Sequence, residues 1–163
     1  LIALSKNNEI ILGLADIPAL DERYIGHSNI SYKIIRNKKT KLKVRNTEKL
    51  SESILNTTSP YVFANKNDQK SFEKLSTKVK STRLGGDCYS YCLLADGLID
   101  IVVESGLKPW DIRALVPIIK NAGGIINTWE SKTVTDGGRI IAATNKKLFN
   151  KCQKILKTKK PSN

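Results

Sequence analysis

The chain has 163 residues, a mass of 18.1 kDa and a formal charge of +13 at pH 7. That length suits one domain with one substantial core, and 40% hydrophobic residues exclude a disordered polypeptide. No apolar run is long enough to span a bilayer, and 6% aromatic residues leave few stacking platforms for single-stranded nucleic acid.

In chain order, Leu1–Ser5 and Glu9–Asp16 read as apolar strands joined by a turn at Lys6-Asn7-Asn8. Arg23–His27 and Ser31–Ile35 follow as two more strands, with Gly26 near the bend. Lys38–Asn46 is polar, a loop or an edge strand. Glu48–Leu50 forms a short helical turn before a strand over Ser53–Thr57, which ends at Ser59-Pro60. Phe72, Leu75 and Val79 recur at helical spacing, so Asp68–Val79 is an amphipathic helix. Thr82–Leu84 is a short strand and Cys88–Asp96 a helix ended by Gly97. The apolar run Leu98–Glu104 suits a strand buried on both faces. Asp111–Asn121 is a helix stopped by Gly123-Gly124 and kinked by Pro117, which removes a backbone hydrogen bond and crowds the previous turn. Ile125–Trp129 and Arg139–Ala143 are strands around a turn at Asp136-Gly137-Gly138. Lys146–Lys157 closes the chain as an amphipathic helix, with Leu148, Phe149, Cys152, Ile155 and Leu156 inward. Strands first, then strands alternating with helices, indicate a single layered α/β domain over 1–163.

The lysines are interleaved with asparagine and isoleucine along the whole chain, densest at Lys33–Arg45 and in the tail Lys146–Lys160. That pattern reads as a solvated basic surface, so neither nucleic acid nor membrane is expected as a partner. Three cysteines, an odd number without a charged-then-apolar leader, favour a reducing cytoplasm. Cys88 and Cys92 lie four apart on one helix face, but a zinc site needs four ligands and only Cys152 and His27 remain. They read as small buried hydrophobes. His27 is the single histidine, with no nucleophile beside it, which argues against a Ser-His or Cys-His hydrolase.

Three carboxylates stand out. Asp111 opens a helix behind Pro109 and Trp110, either as an ordinary first-turn acid or in a catalytic role. Gly85-Gly86-Asp87 precedes another helix, where glycines let backbone N–H groups approach an anion, although many strand-to-helix turns use glycine. Glu104 ends the buried strand, placed either to enter a cleft or to pair with a lysine. This layout suits a small charged substrate beside a metal ion.

The run Trp110-Asp111-Ile-Arg-Ala-Leu-Val-Pro-Ile-Ile-Lys-Asn-Ala-Gly-Gly124 resembles the C-terminal signature of the inositol monophosphatase family, with Glu104 seven residues before the aspartate. The likeness runs through the whole chain and is strongest over 82–145. Within the family the chain is most similar to the histidinol-phosphatase branch, through Gly85-Gly-Asp-Cys-Tyr89, Gly106-Leu-Lys-Pro-Trp-Asp111, Thr57-Thr-Ser-Pro60 and Asp16-Ile-Pro18 with Glu22-Arg23. Arg113 departs from the signature, which has a small residue there, and could alter the packing beneath Asp111.

The resemblance implies the layered αβαβα sandwich of the inositol monophosphatase and sugar phosphatase type, lacking its N-terminal portion. It implies a Mg²⁺-dependent phosphomonoesterase, a homodimer, acting on a small phosphate monoester: L-histidinol phosphate in histidine biosynthesis, or an inositol phosphate. Asp111 would be a metal ligand, while Gly85, Gly86, Asp87 and Glu104 would line the leaving-group pocket. Inositol-type enzymes carry a small uncharged residue at the place of Asp87, so a second carboxylate here suits an amine and an imidazole. The family's Glu-Glu and Asp-Pro-Ile-Asp-Gly-Thr motifs do not occur, and with no methionine Leu1 is not an initiator. The expectation is therefore a C-terminal part, inactive alone, with its catalytic residues upstream. A short binding or dimerisation module is the reading of another class.

Overall fold

The computed structural model describes residues 1–157; the end of the basic tail, 158–160, lies outside them. The chain begins with an antiparallel meander of β1 (Ile2–Lys6), β2 (Glu9–Ile17), β3 (Glu22–His27), β4 (Ile30–Ile35) and β5 (Lys38–Lys41), adjacent in chain order. Its two-residue turns Asn7-Asn8, Ser28-Asn29 and Arg36-Asn37 have positive φ at both positions. That is the hairpin geometry whose twist matches the strands, and asparagine tolerates it well. The polar stretch expected over Lys38–Asn46 is thus an edge strand in its first half only.

Gly26 is not at a bend. It pairs with Gly13 across β2 and β3, where the segment 114–118 crosses the sheet. A Cβ added at Gly13 would lie 1.8 Å from the Ala114 carbonyl oxygen, and one at Gly26 2.5 Å from the Ile118 nitrogen. The glycines are there because backbone meets backbone.

The second sheet is mixed, with β7 (Ser81–Leu84), β6 (Ile54–Thr57), β8 (Ile101–Leu107), β10 (Gly138–Ala143) and β9 (Ile125–Thr128) in that spatial order. The β6 strand runs parallel to β7 and β8, and β10 antiparallel to β8 and β9. Between the sheets lie α2 (Asp87–Ala95) and α4 (Leu115–Asn121), while α1 (Lys66–Ser76) and α5 (Lys146–Leu156) cover the far face. One core, with Tyr24, Leu94, Leu115 and Ile118, fills the space between the sheets. The other, with Phe72, Trp129, Phe149 and Leu156, lies beneath the second sheet. The order is sheet, helices, sheet, helices: four of the five expected layers. No helix among the described residues is long and apolar enough to cross a membrane.

The helix expected over Asp111–Asn121 is two helices, α3 (Pro109–Ile112) and α4, broken at Arg113-Ala114. Pro117 has no N–H for the Arg113 carbonyl. Val116 N–H takes that carbonyl instead at 3.3 Å, three residues on, which tightens the turn. The strand expected over Leu98–Glu104 starts at Ile101 and reaches Leu107, leaving Leu98 54% exposed. The helix expected over Asp68–Val79 begins earlier because Asn65 caps it, its Oδ1 accepting from Asp68 N–H at 2.9 Å. Val79 falls beyond that helix but still packs against the lower core.

The connector between the sheets is pinned electrostatically. Arg45 grips Asp100 through two nitrogens, and Ile54 N–H donates to Asp100 Oδ2 at 2.6 Å. Burial alone would raise the Asp100 carboxyl, but these bonds outweigh it and hold it below its ordinary value.

Candidate active site

Three elements converge at one end of the second sheet. The Gly85-Gly86 turn has φ of 86° and 102°, and Asp87 follows at 41°, a left-handed conformation that a non-glycine residue adopts at a cost. Gly85 N–H donates to the carbonyls of Thr57 at 3.1 Å and Thr58 at 2.9 Å, which ties the turn to the end of β6. The two glycines therefore shape the turn that delivers Asp87 to the pocket wall. Glu104 comes from the middle of β8, and Asp111 from α3, which Pro109 opens.

Asp87, Glu104 and Asp111 line one cavity of about 470 Å³, together with Thr58, Cys88, Tyr91 and Ser105. Gly85 and Gly86 stand beside it in sequence without lining it. A slightly larger cavity, of about 480 Å³, lies between the β-hairpin turns and α4; Glu9 and Lys120 are its ionisable residues, and no carboxylates converge there.

Glu104 is 2% exposed. Thr57 Oγ1 donates to its Oε2 at 3.1 Å and Thr58 N–H to its Oε1 at 2.6 Å. Burial pushes its carboxyl up, the threonine bonds pull the other way, and the Asp87 charge adds to the rise. Asp111 Oδ2 accepts from Lys108 N–H at 2.7 Å, so its other oxygen is the one open to a cation. Arg113 turns away from Asp111, its Nε donating to the Thr135 carbonyl at 2.6 Å.

Among the described residues no three metal-ligating side chains gather. A divalent cation such as Mg²⁺ needs a fuller octahedral donor set than one free carboxylate oxygen, so these residues do not form a metal site by themselves. All three cysteines are free thiols, pushed up by burial; Cys92 is a small buried hydrophobe as expected, whereas Cys88 is half-buried and lines the cavity.

The sequence did not single out Thr57 and Thr58 as the donors that fix Glu104, nor Tyr91 as part of the wall. Tyr91 follows Asp87 by four residues, which places both on one helix face; that spacing was the available signal.

Residues 1–159 match the model of the inositol monophosphatase family. The bifunctional phosphatase IMPL2, chloroplastic, of Arabidopsis thaliana is 44% identical over 137 residues, 81% of this chain and 37% of that protein. The histidinol-phosphatase of Mycobacterium tuberculosis is 28% identical over 87% of this chain and 55% of its own length. An inositol monophosphatase from Zymomonas mobilis superposes with a TM-score of 0.88 at 34% identity, over 96% of this chain and 61% of that one. The chain thus spans between about a third and three fifths of these relatives. Layer order and family match lead to one statement: this chain belongs to the inositol monophosphatase family.

Proposed function

We propose that this chain is the leaving-group half of a metal-dependent phosphomonoesterase whose substrate is L-histidinol phosphate. The observation that carries the reading is the pair of carboxylates, Asp87 and Glu104, in one cavity beside Asp111. Two carboxyl groups complement an ammonium and an imidazole N–H. Histidinol-phosphatases from Mycobacterium tuberculosis and Chlorobaculum parvum among the relatives support the same substrate.

In this reading Glu104, held by Thr57 and Thr58, is the fixed wall, and Asp87 closes on the amino alcohol from the opposite side. Asp111 would be one ligand of a Mg²⁺ ion, which when bound polarises the phosphoryl group. The other ligands are not among the described residues, so the 163-residue chain alone is expected to release no phosphate.

The test is phosphate release by the native full-length protein from L-histidinol phosphate and from inositol 1-phosphate, with Mg²⁺ present. The expected result is a clear preference for the first, and a loss of about tenfold in kcat/KM on that substrate alone in Asp87→Ala. Equal losses on both substrates would sink the assignment of Asp87. A preference for inositol 1-phosphate would favour the second reading, an inositol monophosphatase, which the Zymomonas mobilis likeness supports.

A further inference from the structure

Tyr91 stands one helical turn after Asp87 in α2 and lines the same cavity. The residue is 2% exposed and belongs to the core between the sheets. Its hydroxyl is buried and has no hydrogen-bond partner, whereas buried tyrosine hydroxyls ordinarily find one. No group of the cavity wall bonds to it. Ser105 Oγ donates to Asp68 Oδ2 at 2.5 Å, and both oxygens of Glu104 accept from Thr57 and Thr58. Phenylalanine would fill the same volume without orphaning a polar atom, so packing alone gives no reason for a tyrosine here.

We propose that Tyr91 is a substrate-binding residue of this cavity, its hydroxyl donating a hydrogen bond to an acceptor atom of the leaving group. The chemistry of the wall points to that role. Asp87, Glu104 and Asp111 accept hydrogen bonds when ionised and so recognise donors. Tyr91 supplies the complementary donor and recognises what the carboxylates cannot. On a neutral imidazole one ring nitrogen carries a proton and the other a lone pair; the carboxylates take the ammonium and the ring N–H, and Tyr91 takes the lone pair. This assignment rests on the leaving-group pocket proposed above.

The variant is Tyr91→Phe in the native full-length protein, read by ligand-free Tm, kcat, KM, and inhibition by L-histidinol and by inorganic phosphate. The KM for L-histidinol phosphate and the Ki for L-histidinol should both rise about three- to tenfold, the worth of one neutral hydrogen bond. The Ki for phosphate and kcat should stay within about twofold, since the contact is to the leaving group alone. Tm should hold or rise, because the hydroxyl has no partner to lose. An unchanged KM overturns the proposal. So does a fall in Tm with phosphate inhibition weakened in parallel, the pattern of a structural hydroxyl. If the wild type hydrolyses inositol 1-phosphate and not L-histidinol phosphate, the substrate proposal fails by itself. The variant is then read on inositol 1-phosphate, where the same KM rise upholds Tyr91 as a leaving-group contact and an unchanged KM removes it. A wild type that hydrolyses neither removes both.

Discussion

The two five-stranded sheets are built differently although both are rich in apolar residues. The second is covered on both faces: Ile101 and Val103 of β8 point into the lower core while Val102 between them points into the middle one. The first is covered on one. Its row Ala15–Tyr24 faces the helices, whereas the cross-strand row Ile2, Leu14, Ile25, Tyr32 lies on the open side. Ile2 and Leu4 are 62% and 53% exposed there. A sheet meant to face water alternates apolar with polar residues; this one does not. The contrast shows that coverage, not composition, separates the sheets, and that a strand's apolar content says little about which face has a partner.

The sharpest way to break the contrast is to disturb the covered face of the first sheet. Gly13→Ala drives a methyl group into the Ala114 carbonyl and should cost about 3 kcal/mol or more, read as a lower urea midpoint. Next comes the tie between the sheets. Asp100→Asn weakens the grip of Arg45 and should cost about 2–3 kcal/mol at neutral pH. Because the Asp100 carboxyl is held below its ordinary value, that stabilisation is present above about pH 4 and is lost as pH falls through the lower, folded-state value. Stability curves of the two proteins should therefore converge in acid; a gap that persists there would place the effect elsewhere. Asp87→Gly should raise stability by about 1 kcal/mol by relieving the positive φ, while it weakens substrate use. The smallest effect is expected on the open face, where Ile2→Lys should change the unfolding free energy measured in urea by less than about 0.5 kcal/mol. A larger loss would mean that this face is covered in solution.

Much of the fold was legible because its signals are local. Short apolar runs and the polar turn between β1 and β2 marked the first strands, helical spacing marked α1 and α5, and Pro117 announced a distortion that became the break at Arg113-Ala114. What escaped depends on contacts distant in sequence. Gly26 looks like a turn residue until α4 lies across it. The late start of β8 follows from Asp100 being held by Arg45, 55 residues away. At the site, sequence brought out Asp87, Glu104 and Asp111 because carboxylates at helix starts and strand ends are conspicuous. Tyr91 was not, since a tyrosine in an apolar helix reads as core until its hydroxyl is seen to lack a partner.

The paired glycines of the first sheet act as a datum face, the flat reference against which a machinist sets a part. Asp111 lies three residues before Ala114, the point of closest approach to Gly13, so the glycines let the segment that follows Asp111 lie directly on β2 and β3. A sheet that gives the cavity no carboxylate still seats the chain beside one.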